Sequence, residues 1–167
     1  NFEGGSLVEK YRIFTGYLEV GVEVNYSAIG ETRAALVRLV DFEKAENNDF
    51  AVVNQYTYIE NGNNRRPDII LFVNGLPLVL MELKSPAKED AGAEDAYNQL
   101  RNYMQDIPSL FIYNAICVIS DLSTNRAGTI TSGFDRFMEW KTKDGRYENT
   151  AYAQFDTFFE GMFPKDR

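Results

Sequence analysis

The pattern of apolar and polar positions is clearest over residues 65–84, where two short apolar runs flank an Asn-Gly pair. Residues 69–73 and 76–80 have the length and the branched composition of buried strands. Asn74-Gly75 between them tolerates positive φ at both positions of a tight turn. The pattern therefore predicts a β-hairpin at the centre of the fold.

Further helices and strands are predicted on both sides of this hairpin. Before it, the pattern predicts a helix over 6–19, strands over 20–26, 34–42 and 51–59, turns over 29–32 and 60–64, and a loop over 43–49. After it, the pattern predicts a strand stop at Pro86, a helix over 89–106 that Pro108 ends, strands over 114–121 and 128–132, a packed segment over 134–140, a turn at 144–145 and a helix over 154–162. A helix between strands acts as a crossover, so we expect an α/β fold with a mixed central sheet flanked by helices. Residues 1–167 are expected to form a single domain with its core over about 20–125.

Ionisable residues occupy the ends of the predicted hairpin. Asp68 opens the first strand, and Glu82 and Lys84 close the second. Side chains alternate along a strand, so Glu82 and Lys84 share a face. Paired residue numbers in this hairpin sum to about 149, which places Asp68 opposite or diagonal to Glu82. Such charges beside an apolar sheet are costly unless they pair with each other or hold a cation, and both alternatives stay open at this point.

Composition restricts the chemistry that this site can use. The chain contains no histidine, which excludes histidine-based triads and zinc sites. Any metal would be a hard cation on oxygen ligands, such as Mg²⁺ or Mn²⁺. The one cysteine, Cys117, lies in an apolar run and is expected to be a buried core thiol. A lone thiol and the lack of a spanning apolar run or signal pattern favour a cytoplasmic protein without membrane association.

The charge balance weighs against nucleic-acid binding by this chain alone. The net charge is −8 and the isoelectric point is about 4.6, so the overall field repels a polyanion. Another domain or subunit would have to supply most of the affinity for DNA, or metal ions would have to neutralise acidic groups at the site. The first residue is Asn1 rather than Met, which favours a fragment of a longer chain.

The spacing of the polar residues resembles a known nuclease superfamily. Glu82-Leu83-Lys84 begins fourteen positions after Asp68, and Gln99 and Tyr103 follow one helical turn apart. This arrangement resembles the PD-(D/E)xK nucleases that carry a Gln-x-x-x-Tyr motif. Residues 66–69, 72–78 and 82–86, together with 47–50 and 54–55, are similar to the N-terminal nuclease domain of the restriction (R, motor) subunit of type I restriction-modification enzymes.

The resemblance implies a role for each site residue. It implies a restriction-endonuclease-like core in which Mg²⁺, or Mn²⁺, is held by Asp68, Glu82 and the main-chain carbonyl of Leu83. Lys84 would orient the attacking water and stabilise developing charge. Gln99 and Tyr103 would position the DNA backbone without adding charge. Some relatives carry a further acidic residue upstream, for which Glu9 is the first candidate here and Glu3 and Glu19 are alternatives. Arg65 and Arg66 are either phosphate contacts or a solvated basic pair.

The resemblance also implies a larger assembly. Type I R subunits use an ATP-driven motor, but this chain contains no Gly-rich phosphate loop with Gly-Lys-Ser/Thr, so ATP would bind only in a following motor domain. DNA recognition and modification would belong to specificity and methylation subunits, and cleavage would follow translocation at no fixed sequence. The implied activity is that of a type I site-specific deoxyribonuclease, with weak DNA binding by this chain alone. The alternatives are a recombination or repair nuclease of the same superfamily and a non-catalytic assembly module of that fold.

Overall fold

The computed structural model describes residues 2, 4–85, 92–146 and 155–164. In chain order its elements are α1 (Leu7–Val20), β1 (Val22–Ala28), β2 (Glu31–Val37), β3 (Phe50–Asn54), β4 (Tyr58–Glu60), β5 (Asn63–Arg65), β6 (Ile69–Val73), β7 (Leu76–Leu83), α2 (Ala93–Asp106), α3 (Pro108–Ile112), β8 (Ile116–Ser120), β9 (Asn125–Gly128) and α4 (Phe155–Met162). Short 3₁₀ turns occupy Ala45–Asn47 and Phe134–Arg136. None of the helices in these ranges is both long and apolar enough to cross a membrane.

A five-stranded sheet with strand order β3-β6-β7-β8-β9 forms the centre of the fold. Strands β7 and β8 are parallel, and the other three pairs are antiparallel. Helices α2 and α3 connect the two parallel strands, as a crossover connection requires. This arrangement confirms the predicted mixed central sheet flanked by helices. In contrast, β1 and β2 pair only with each other in a separate two-stranded sheet, as do β4 and β5.

The two faces of the central sheet are covered by different helices. On one face, Leu80 and Ile119 pack in a cluster with Ala96 and Leu100 of α2. On the other face, neighbouring sheet residues pack in a second cluster with Phe14 of α1 and side chains of α4. Burying a side chain of this size contributes about 1.5–3 kcal/mol, so both faces stabilise the fold. Cys117 is fully buried as predicted, and burial raises the pKa of its thiol to about 12.

Several element boundaries differ from the sequence-based predictions for identifiable reasons. The predicted strand over 51–59 ends at Asn54, because Gln55 adopts a left-handed conformation with φ +53° and turns the chain. Pro108 was predicted to end a helix, but it opens α3, since proline is compatible with the first helical turn. The partner strand predicted over 128–132 corresponds to β9, which begins three residues earlier, at Asn125. The predicted helix starts at 89 and 154 and the predicted stop at Pro86 lie outside the described residues.

Candidate metal and nucleic-acid site

A β-bulge in the central hairpin determines which face the site residues occupy. Phe72 pairs with Pro77 but Leu71 pairs with Val79, so Leu78 is an extra residue in β7. Leu78 and Val79 both pack in the cluster on the α1 and α4 side. From Leu80 onward, the even-numbered side chains of β7 lie on the α2 side of the sheet.

The same bulge brings Asp68 opposite Glu82. Beyond it, Ile69 pairs with Met81, and the next pair in this register is Asp68 with Glu82. A regular hairpin would place Asp68 opposite Met81, whereas the bulge shifts the register by one residue, so Asp68 lies opposite Glu82, one of the two predicted arrangements. Asp68 Oδ2 accepts a hydrogen bond from the Leu83 main-chain N–H at 2.9 Å, which ties the two strand ends together.

Four of the predicted site residues form one connected hydrogen-bond network. Lys84 Nζ donates to Glu82 Oε1 at 3.1 Å and to Gln99 Oε1 at 2.5 Å. Gln99 Nε2 in turn donates to the Tyr103 hydroxyl at 2.6 Å. Lys84 therefore joins the end of β7 to one face of α2, and the helix fixes the position of its ammonium group.

Glu82 is buried with an incomplete set of partners. Its side chain is 1 % exposed, and Oε2 has no hydrogen-bond partner among the described residues. Burial, followed by the negative charge of Asp68, raises the pKa of Glu82 to about 7, although Lys84 acts in the opposite direction. A buried carboxylate oxygen without a donor is rare and calls for an explanation. A cation bound between this oxygen and Asp68 would satisfy it, and so would a proton that Glu82 donates to the Asp68 carboxylate.

Each side-chain oxygen of Asp68 accepts one hydrogen bond and can accept a further ligand. Gln55 Nε2 donates to Oδ1 at 2.6 Å, and the Leu83 N–H bonds Oδ2. An ionised carboxylate offers about four acceptor positions, so each oxygen retains capacity for a metal. The donor set of Asp68 and Glu82 therefore suits a hard cation such as Mg²⁺ or Mn²⁺. The assignment of the Leu83 carbonyl as a third ligand stays a prediction.

Among the described residues, no upstream acidic side chain joins this pair. Within the parts of the chain that the structure describes, no group of three or more His, Cys, Asp or Glu residues is arranged to hold a metal. Glu9 instead caps its own helix: its Oε2 accepts from the Ser6 N–H at 2.7 Å, and this bond lowers the pKa of Glu9. Glu19 is exposed, and Glu3 lies outside the described residues. Glu9 therefore caps α1 and is not among the described residues that line the cleft beside Asp68.

The network opens onto a cleft of about 1060 Å³ between the hairpin end and α2. Asp68, Lys84, Gln99 and Tyr103 line one part of it. The rest of the lining includes three exposed amide side chains spaced along one stripe of α2: Asn98, Asn102 and Gln105. Uncharged amides can donate to phosphate oxygens and accept from other polar groups. This stripe gives the cleft hydrogen-bonding capacity without net charge.

The two arginines at the cleft, Arg65 and Arg66, have different roles, although they were predicted together as either phosphate contacts or a solvated pair. Arg65 bonds Asp106 Oδ2 through Nη2 at 2.6 Å and through Nε at 2.7 Å. Asn63 also donates to the Asp106 carbonyl at 3.1 Å, so the β4–β5 hairpin is anchored to the end of α2. Arg66 lines the cleft and is exposed. Arg65 is thus a structural ion pair, while Arg66 is available to a ligand.

Sequence reasoning missed the role of Gln55. The Asn54-Gln55 pair contributed to the family resemblance, but its pattern carries no chemical signal by itself. The contact with Asp68 depends on the left-handed turn at Gln55, and glutamine is not a residue that predicts such a turn. The Arg65–Asp106 pair was missed for a similar reason, because it joins residues 41 positions apart.

The structure thus defines an α/β domain whose central hairpin presents two carboxylates and a lysine to a polar cleft beside a helix. This chain belongs to the family described as type I restriction enzyme R protein N terminus, which it matches over residues 1–136. It is 44 % identical over 159 residues to the type I restriction enzyme HindI endonuclease subunit of Haemophilus influenzae, covering 95 % of this chain and 15 % of that protein.

Two further relatives carry the same kind of name. The putative type I restriction enzyme MjaIXP endonuclease subunit of Methanocaldococcus jannaschii is 35 % identical over 175 residues, covering 93 % of this chain and 17 % of that protein. The EcoprrI endonuclease subunit of Escherichia coli is 30 % identical over 138 residues, covering 77 % of this chain and 42 % of that protein. The chain therefore spans less than half of the length of these relatives.

Proposed function

We propose that this chain is the Mg²⁺-dependent DNA endonuclease domain of a type I restriction R subunit, with a PD-(D/E)xK catalytic core. The observation that carries the proposal is the placement of Asp68 beside the buried carboxylate of Glu82, whose Oε2 has no donor among the described residues. A Glu82–Lys84 ion pair alone leaves a second carboxylate, Asp68, beside Glu82, and a divalent cation would offset its charge. Membership of the R protein family supports the same conclusion.

The two carboxylates would hold the metal, together with the Leu83 carbonyl. Mg²⁺, or Mn²⁺ in its place, would supply a divalent charge that stabilises the phosphate and promotes ionisation of a water molecule. Asp68 presents oxygens already oriented by two hydrogen bonds, so little reorganisation is needed when the metal binds. Glu82 would contribute the oxygen that lacks a donor.

Lys84 is positioned to act on the attacking water or on a phosphate oxygen. An ammonium group has three donors, and Glu82 and Gln99 occupy two of them. The third remains for water or phosphate. Because Gln99 is itself fixed by the Tyr103 hydroxyl, the direction of this donor is set by α2. The Lys84 charge also opposes the negative charge that develops during hydrolysis.

Gln99 and Tyr103 would align the DNA backbone. The Tyr103 hydroxyl accepts from Gln99 and can still donate its own proton to a phosphate oxygen. Burial is the largest influence on this hydroxyl and raises the pKa of Tyr103, which keeps the proton in place. The α2 amides and Arg66 extend the contact surface along the cleft. These are backbone contacts, which fix position without reading sequence.

The remaining functions are assigned to other parts of a restriction complex. The relatives are named as endonuclease subunits and are much longer than this chain. We assign ATP binding and translocation to a motor elsewhere in the parent subunit, and DNA recognition and modification to specificity and methylation subunits. Cleavage would then follow translocation and occur at no fixed sequence.

Substitutions at two site residues test this proposal in the full-length subunit assembled with its partners. Asp68→Ala and Lys84→Ala should abolish DNA cleavage, because one removes a metal ligand and the other the cation beside the reacting water. ATP hydrolysis should stay near normal. Lys44→Ala, at an exposed loop position, is the matched control and should leave both activities unchanged. Undiminished cutting by either site variant would remove that residue from the mechanism.

A further inference from the structure

Gln55 contacts Asp68 at two separate points. Its main-chain N–H donates to the Asp68 carbonyl at 2.8 Å, and its side-chain Nε2 donates to Asp68 Oδ1 at 2.6 Å. The first contact follows directly from the β3–β6 ladder, whose last pair is Asn54 with Ile69. The second contact joins the Gln55 side chain to the Asp68 carboxylate, which lies beside Glu82.

The conformation of Gln55 has an energetic cost. Its φ of +53° lies in the left-handed region, which residues other than glycine adopt infrequently. Neither glycine nor asparagine, the residues that adopt this conformation most readily, occupies the position. Strain of this kind persists where the surrounding structure enforces it, and it concentrates at functional sites. At this position the strained turn directs the amide of Gln55 to Asp68.

We propose that Gln55 is a positioning residue that holds the Asp68 carboxylate in its metal-binding orientation. This inference rests on the proposed function and extends it to a residue outside the hairpin and α2. Gln55 fixes Oδ1 from the β3 side and the Leu83 N–H fixes Oδ2 from the β7 side. Together they prevent rotation of the carboxylate, so its remaining acceptor positions face the metal site.

A neutral amide suits this position better than a cation. An arginine or lysine at 55 would form an ion pair with Asp68 and compete with the metal for its charge. The Gln55 amide donates one hydrogen bond and leaves the full negative charge of Asp68 for the metal. Partners of this type, which orient a ligating carboxylate, typically change metal affinity about 10–100-fold when they are removed.

The test measures Mn²⁺ binding to the 167-residue chain, with and without duplex DNA, by electron paramagnetic resonance of the free ion. Gln55→Asn is the informative variant, because asparagine keeps an amide and tolerates positive φ but has a side chain one carbon shorter. Asn54→Ala, an exposed neighbour, is the matched control, and Asp68→Asn removes the site itself. We expect Gln55→Asn to bind Mn²⁺ about 10–100-fold more weakly, Asp68→Asn to lose the binding, and Asn54→Ala to match the unchanged chain.

Two further readouts separate positioning from a structural role. Thermal unfolding of Gln55→Asn without metal should differ little from that of the unchanged chain, since the strained backbone is easier for asparagine. In the assembled full-length subunit, DNA cleavage by this variant should recover as the Mg²⁺ concentration is raised, and the unfolding temperature without metal shows whether a folding defect contributes to the loss. Mn²⁺ binding by Gln55→Asn as tight as that of the unchanged chain would overturn the inference alone. Mn²⁺ binding that is absent, or that does not depend on Asp68, would overturn the metal site of the proposed function and this inference with it.

Discussion

Replacing Glu82 with glutamine tests whether this buried carboxylate serves a metal or only Lys84. Glutamine has nearly the same size and retains an oxygen that can accept from Lys84 Nζ, which lies 3.1 Å from Glu82 Oε1. Its second terminal atom becomes an N–H donor in place of Oε2, and the neighbouring Asp68 carboxylate can accept from it. The Glu82→Gln variant therefore removes the charge and fills the unsatisfied position without creating a cavity.

The raised pKa of Glu82 sets the direction of the effect on stability. Burial first and Asp68 second raise this pKa from 4.5 to about 7, so the folded chain holds the proton more tightly than the unfolded chain. The contribution of Glu82 to the free energy of unfolding is then greatest below about pH 4.5, falls as the pH rises to about 7, and is constant above that. A pKa difference of this size corresponds to a loss on the order of a few kcal/mol.

Glu82→Gln should therefore be more stable than the unchanged chain above about pH 7 in the absence of metal, by up to a few kcal/mol. Urea unfolding followed by circular dichroism, with a chelator and across this pH range, measures the difference. Added Mg²⁺ should raise the free energy of unfolding of the unchanged chain but not of the variant, because only the unchanged chain retains both carboxylates. Glu23→Gln, at an exposed position of β1, is the control and should change stability by less than about 0.5 kcal/mol at every pH.

A less stable Glu82→Gln variant at high pH would refute this reasoning. That result would mean that the attraction between Glu82 and Lys84 exceeds the cost of burying the carboxylate. Glu82 would then be a structural ion-pair partner, and its role as a metal ligand would lose its main support. Equal stabilisation of both proteins by Mg²⁺ would instead place the metal elsewhere.

Two other contacts give predictions that can be measured directly. Tyr103→Phe removes the acceptor of Gln99 and should lower the free energy of unfolding by about 1 kcal/mol. DNA cleavage by the assembled enzyme should fall by more than the loss of folded protein accounts for. A fall in cleavage that matches the loss of folded protein would mark Tyr103 as a structural residue only. Asp106→Asn should release Arg65 for a phosphate contact and strengthen DNA binding by this chain. The slope of log K against log salt concentration should become steeper by about one, which corresponds to one further phosphate contact. Unchanged binding and salt dependence in a fluorescence titration would contradict this, and Asp135→Asn, at an exposed position, is its control.

The sequence predicts the parts of the fold that depend on local chemistry. Asn74 and Gly75 have φ of +52° and +78°, as a tight turn of this dipeptide requires, and the apolar runs on either side form β6 and β7. The helical spacing of Gln99 and Tyr103 likewise places both on the same face of α2. In each of these cases the determining interactions lie within a few residues of one another.

The register of the hairpin could not be obtained in this way. Leu78 and Val79 are both apolar, so the hydrophobic pattern does not show which of them is the extra residue of the bulge. Pro77 is the one local signal, since proline lacks a ladder donor and within sheets is confined to edges, strand starts and bulges. The position of Gln55 depends on a turn that only the surrounding structure enforces. The residues that hold the site were therefore harder to predict than the residues that form it.

The charges around the cleft agree with the weak DNA binding proposed for this acidic chain. Arg65 and Lys84 lie at the cleft but are already paired with Asp106 and Glu82, respectively. Among the described residues that line the cleft, Arg66 is then left as the cation open to phosphate, while the net charge of the chain is −8. Release of counterions from DNA, which supplies most non-specific affinity, would contribute little under these conditions. The neutral amides of α2 are suited to aligning a backbone that is already held nearby. Under the proposed function, this chain would depend on a separate part of its complex to deliver DNA, and the charges of the cleft favour this division independently of the family.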